Sequence, residues 1–188
     1  MNAFDYLAVL LSIVLGLGIT QVLAGFAGMV RARGRARMYW PVPLQMLAVF
    51  LIQVQVWWAL FALRGMTHWT FAQYLVVLMQ PVAVYMMAAF ITPDFSGDGE
   101  IDLRAAYFRE ARWFFGALAA TTAVSLAKNL VIDGALPDAT AMAGHIVFFA
   151  VAIAGMIWRG DRVHKAIALL SLALYAAYIA LLAVQLPG

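Results

Sequence analysis

Few side chains in this sequence can do chemistry, and their spacing matches no catalytic template. Three histidines, His68, His145 and His164, lie far apart and share no metal-ligand spacing. There is no cysteine, which excludes disulfides, thiolate metal sites and cysteine catalysis. Neither an HExxH pair nor a glycine-rich phosphate loop occurs. The serines have no base at a recognisable spacing. Asp5, Asp133 and Asp138 fall at the ends of apolar runs, and the other acids fall in or beside polar connections. A general acid–base pair inside an apolar run is therefore missing. The expectation is a chain that is not an enzyme and that holds no cofactor and no metal.

The polar groups inside the apolar runs are mainly amides. Gln21, Gln45, Gln53, Gln55, Gln73 and Gln80 all fall in the first half of the chain. By depth along their runs, Gln53 and Gln80 come near a midplane, together with Thr121, Thr122 and Tyr178. An unpaired amide in hydrocarbon is costly, so these groups should face one another or a wet cavity. Two readings follow: interhelical hydrogen bonds, or the lining of a path for a small solute. Gln53 and Gln55 stand about 200° apart on an ideal helix and cannot line one surface.

Lys128 is the basic residue deepest in an apolar run, beside Asn129. A charge within a membrane span is a functional-site hypothesis by default. With His145, and with Arg64 at the rim, Lys128 and Asn129 would form a positive vestibule for an anion or a lipid phosphate. The alternative is that Lys128 reaches the surface and pairs with Asp133 or Asp5.

Residues 94–105 resemble part of an EF-hand calcium loop. Asp94, Ser96 and Asp98 stand at the first ligand positions and Gly99 at the turn. The twelfth position, which should be a bidentate Glu, is Ala105. An acidic turn capping the next helix accounts for the same residues.

The elements that must position these groups follow from composition. Of 188 residues, 66% are hydrophobic and 11% charged, and the mean hydropathy is +0.92. A soluble fold of this size has too much surface to hide that apolar content. Six runs, about 4–30, 40–63, 71–92, 113–132, 140–158 and 166–186, are each near the 20 or so residues that span a bilayer core. Period-two alternation is absent, which argues against a barrel. The fold class expected is an all-α integral membrane protein, a six-transmembrane-helix bundle with short loops and a single domain over residues 1–188. The first run lacks a basic leader and has Asp5 at its start, as expected of a retained helix rather than a cleaved signal.

Charge sets the expected orientation. Ten of the twelve Lys and Arg residues fall in the connections after runs one, three and five, and only Arg64 and Lys128 fall on the other side. The positive-inside rule then puts those three connections in the cytoplasm and both termini outside, as in a bacterial inner membrane. Trp40, Trp113 and Trp158 fall at the same basic ends. Residues 101–112 repeat apolar side chains at helical spacing and read as a short amphipathic segment on the inner leaflet. With the RARGRAR stretch, they point to anionic headgroups as partners, and the net charge of +3 implies no nucleic acid. The two three-helix halves share no motif and their basic loops do not correspond, so an inverted repeat has no support.

Two packing features complete the reading. Ala8, Ser12, Gly16, Thr20, Ala24 and Gly28 form a small-residue ridge along the first run, suited to close packing within the bundle or to a homo-oligomer or other membrane partner. Pro81 follows Gln80 in mid-run, where it should kink the helix and free the carbonyl of Val77. The functional expectation is a channel or transporter for a small solute or ion, its lining drawn from Gln53, Gln80, Thr121, Lys128, Asn129, His145 and Tyr178. The alternative is a non-catalytic membrane subunit, scaffold or lipid-binding protein.

Overall fold

Apolar side chains at every turn leave these segments little choice but helix, because only internal hydrogen bonding satisfies the backbone in lipid. A computed structural model describes residues 3–97 and 99–184. It contains six helices long and apolar enough to cross a membrane. They are α1 (Ala3–Arg31), α2 (Pro41–Leu60), α3 (Phe71–Ile91), α4 (Leu103–Asp133), α5 (Ala139–Ile157) and α6 (Asp161–Val184). A 3₁₀ turn, Phe61–Gly65, extends α2.

The helix boundaries follow local chemistry. Pro41 opens α2, where its missing N–H costs nothing. Thr70 and Gln73 form a reciprocal capping box at the start of α3, so Gln73 is a cap and not an interior amide. Asp102 accepts from the backbone N–H groups of Arg104 and Ala105 and starts α4. Asp138 caps α5 through Ala141 N–H. Gly134 takes φ +67° and stops α4.

Adjacent helices form a closed circuit, α1–α3–α4–α5–α6–α2 and back to α1, and α2 also packs on α3. The inward face of α1 is Leu7, Leu11, Leu15, Gly18, Val22, Gly25 and Met29, spaced by threes and fours. On α6 the buried positions His164, Ile167, Ala168, Ser171 and Tyr175 keep a similar spacing. Close approaches use glycine. A Cβ on Gly155 of α5 would run into the ring of Phe115 on α4, and one on Gly28 into Phe95.

One element is longer than the sequence reading assumed. The amphipathic segment 101–112 is not a separate helix on the leaflet. Its residues 103–112 form the first turns of α4, one unbroken helix of 31 residues. Tyr107, Ala111, Phe114 and Phe115 bury its inner face, so packing on neighbours outweighs the pull of the headgroup region.

The basic end is tied together across the chain. Strand β1 (Ala36–Arg37) pairs in parallel with β2 (Ile101–Asp102). The Arg35 guanidinium donates to the carbonyls of Phe95 and Gly99, at 2.8 and 2.9 Å. These bonds join the connection after α1 to the connection after α3. Asp161 accepts from Arg104 at 3.1 Å and from Lys165 at 2.7 Å, drawing the α5–α6 turn onto the same end.

Candidate functional site: buried amides of the first three helices

The midplane amides expected from the sequence are buried, but they are not paired with each other. Gln53 is fully buried in α2 and its amide lies against Gly18 of α1. A Cβ at Gly18 would stand only 3.1 Å from Gln53 Nε2, so glycine there makes room for the amide. Neither Nε2 nor Oε1 of Gln53 has a hydrogen-bond partner among the described residues. Gln80 Oε1 and Gln45 Nε2 are likewise buried and unpartnered. Pro81 stands within α3 directly after Gln80, and lacking an N–H it cannot bond the carbonyl of Val77.

Interhelical glue would show amide-to-amide or amide-to-backbone bonds. Among the described residues these amides make none. Burying a polar group unpaired costs about 1–3 kcal/mol by protein mutational data, so the α1–α2–α3 region holds a costly group of hydrogen-bonding atoms with no protein use.

Thr121 sits at the seam of α4 with α3. Its hydroxyl donates back to the Ala117 carbonyl at 2.9 Å and lies 3.4 Å from Met87 Sδ. Thr122 bonds back to Leu118 in the same way. Both are satisfied within their own helix. No hydrogen bond joins them to Gln53 or Gln80 among the described residues.

Tyr178 departs from the expected lining. It is 42% exposed on the outer side of α6, and Tyr175 takes the interior place, stacked on Phe148 at 4.8 Å. The three-and-four spacing of the buried α6 face passes through 171 and 175, which leaves 178 outside.

The second cluster, Lys128, Asn129 and His145, is brought only partly together. His145 Nδ1–H donates to the Ala141 carbonyl at 2.7 Å. Its Nε2 then accepts from the Ser125 hydroxyl at 3.0 Å, bridging α5 to α4. Ser125 precedes Lys128 and Asn129 by three and four residues, so all three share one side of α4. Lys128 and Asn129 are half-buried, and Asp133 is the charge acting on Lys128. Arg64 lies apart: its guanidinium donates to the Phe61 carbonyl and stacks 3.9 Å above the Phe61 ring.

The α1 ridge divides. Gly16, Thr20 and Ala24 are exposed, Ala8 and Ser12 are half-buried, and Gly28 is buried against Phe95. The ridge thus faces outward over its middle turns, and the leucine-and-glycine seam described above faces the bundle.

Two polar features escape the sequence reading. His164, expected in a loop, is fully buried in the first turn of α6. Its Nε2–H donates to the Trp158 carbonyl at 2.7 Å, and its Nδ1 accepts from the Tyr107 hydroxyl at 2.9 Å. The rings of Tyr107, Phe108 and Phe115 surround it. Tyr39 packs on Tyr107 and Phe108. Its hydroxyl lies toward Asp161 without meeting hydrogen-bond geometry, and burial with that nearby negative charge pushes its ionisation up. The sequence signal was the helical repeat 164, 167, 171, 175, obscured by starting the last run at 166.

The acidic connection 94–105 behaves as a capped turn. Asp94 accepts from Ser96 N–H and Oγ, both at 2.8 Å. Those two bonds, the backbone one first, hold its carboxyl below the usual range. Asp102 caps α4 as described. Asp98 lies outside the described residues. No cluster of three or more metal-ligating side chains occurs among the described residues.

The arrangement can hydrogen-bond a small polar guest through amide donors and acceptors. No protein family, curated protein or solved structure matches the chain.

Proposed function

We propose that this polytopic membrane protein is a small channel or transporter. Its solute path runs along α1, α2 and α3, lined by Gln53 and Gln80. The observation that carries this reading is Gln53: a fully buried amide at the core of a membrane bundle, facing a glycine, with neither polar atom partnered among the described residues. Water or a small polar solute supplies the missing bonds as it passes, and unpaired amides at several depths let it move between sites without being held at one. The reading includes the orientation expected from charge, with the basic end in the cytoplasm of a bacterial cell and the chain acting without catalysis.

The test is flux in liposomes holding the purified protein. Water, small neutral solutes and monovalent ions are followed separately, against empty vesicles. Transport of at least one class is expected, and Gln53→Leu should abolish it while leaving the protein folded. Flux equal to that of empty vesicles for every class, or wild-type flux through Gln53→Leu, would sink the reading.

A second reading, lipid binding, is favoured by a specific observation: a groove of about 720 Å³ between α1, α3 and the connection after α3.

A further inference from the structure

The groove lies at the basic end and combines two environments. One wall is α1, from Gln21 to Arg31, a rise of about 15 Å at 1.5 Å per residue. Its middle is made of small side chains. Ala24 is exposed there, and Gly28 lets the Phe95 ring close in from the connection after α3. Ala24 leaves a slot beside the Phe95 ring, which a larger side chain at that position would fill. The opposite wall includes Thr92, whose hydroxyl is buried and has no partner among the described residues.

The two arginines at the mouth differ in what they are free to do. Arg35 is committed to the carbonyls of Phe95 and Gly99 and holds the lip in place. Arg31 is exposed and makes no ion pair among the described residues. Asp94 also lines the mouth, but its carboxylate is bound to its own turn through Ser96. The mouth therefore carries two guanidinium groups against one carboxylate, with one guanidinium uncommitted.

We propose that this groove is a binding site for one anionic phospholipid taken from the leaflet at the basic end. The Arg31 guanidinium meets the phosphate, and the slot between Ala24 and the Phe95 ring receives the start of an acyl chain. Charge complementarity selects the anion. The apolar slot running into the membrane-spanning part of α1 selects an amphiphile over a soluble anion, which would have no use for it. The site does not depend on the transport reading: it lies between α1, α3 and the connection after α3, and none of Gln45, Gln53 or Gln80 lines it.

Native mass spectrometry of the purified full-length protein tests this. Phosphatidylglycerol and phosphatidylcholine with identical chains are titrated in parallel. Preferential retention of one phosphatidylglycerol is expected. Arg31→Gln should lower it about fivefold, the effect of one basic residue at a membrane surface. Ala24→Phe, at an exposed position, should fill the slot and lower retention of both lipids without touching the core. Equal retention of the two lipids by the wild-type protein overturns the proposal, as does unchanged retention in both variants. Displacement of phosphatidylglycerol by millimolar glycerol 3-phosphate or inorganic phosphate would show a soluble anion site and also overturn it.

Discussion

In α4, α5 and α6, Thr121 and Thr122 bond to their own helix, His145 reaches Ser125, and His164 uses both ring nitrogens. In α2 and α3, Gln45, Gln53 and Gln80 leave amide atoms with no partner. Among the described residues, all seven buried side-chain polar atoms without a hydrogen bond lie between Tyr39 and Thr92. Both regions cross the same bilayer, so the contrast does not come from the solvent. The C-terminal helices use buried polarity to fix their mutual positions. The N-terminal helices leave theirs without a partner among the described residues, and the proposed solute path would use them.

The largest expected effect is at His164. Replacing it with Ala leaves the Tyr107 hydroxyl and Trp158 carbonyl unpaired and opens a void among aromatic rings. A loss of about 3–5 kcal/mol is expected, as for other large-to-small core changes. Denaturant unfolding of the detergent-solubilised protein measures it, and a loss under 1 kcal/mol would mean the C-terminal half is not organised as described. Gln53→Leu should have the opposite sign. Removing an unpaired buried amide should raise stability by about 1 kcal/mol in the same assay. A clear loss of stability would show that Gln53 does have a protein partner, and the contrast between the halves would fail.

Thr121→Val should matter less, within about 0.5 kcal/mol, because its hydroxyl bonds mainly to its own helix and its contact across to α3 is a thioether, a weak acceptor. A larger loss would point to a role for Thr121 in joining α3 to α4. The smallest effect is a pH response at the start of α4. The Ala105 N–H, followed by the Arg104 N–H and the positive charges of Arg37 and Arg104, outweighs burial and holds the Asp102 carboxyl below its usual range. Its value when folded is then below its value when unfolded, about 3.9. The cap's contribution is complete above that unfolded value and fades as pH falls through the folded one. Hydrogen-exchange protection of the first α4 turn should therefore hold from pH 6 to about pH 4 and drop as the pH falls further. Unchanged protection would remove the cap from the account.

The six spans were legible in the sequence because length and apolarity report directly on a bilayer, and the structure has six such helices. Helix faces were harder. On α1 the ridge Gly16, Thr20 and Ala24 and the seam Leu15, Gly18 and Val22 both repeat every three to four residues, and nothing in lipid penalises turning either one outward. Tyr178 was misplaced for the same reason. His164 was missed because its burial depends on Tyr107, which precedes it by 57 residues. The amides were visible as a group, but their lack of partners is a property of three helices at once.

The length of α4 has a mechanical consequence. At 1.5 Å per residue its 31 residues run about 46 Å, well beyond a hydrocarbon core of about 30 Å. With no proline to bend it, it acts as a single rod. One end is held by the β1–β2 pairing just before it and by the Arg104–Asp161 pair, and near the other Ser125 holds His145. A tilt imposed at the clamped end must reappear, reversed in direction, at the His145 seam on the far side of the bilayer.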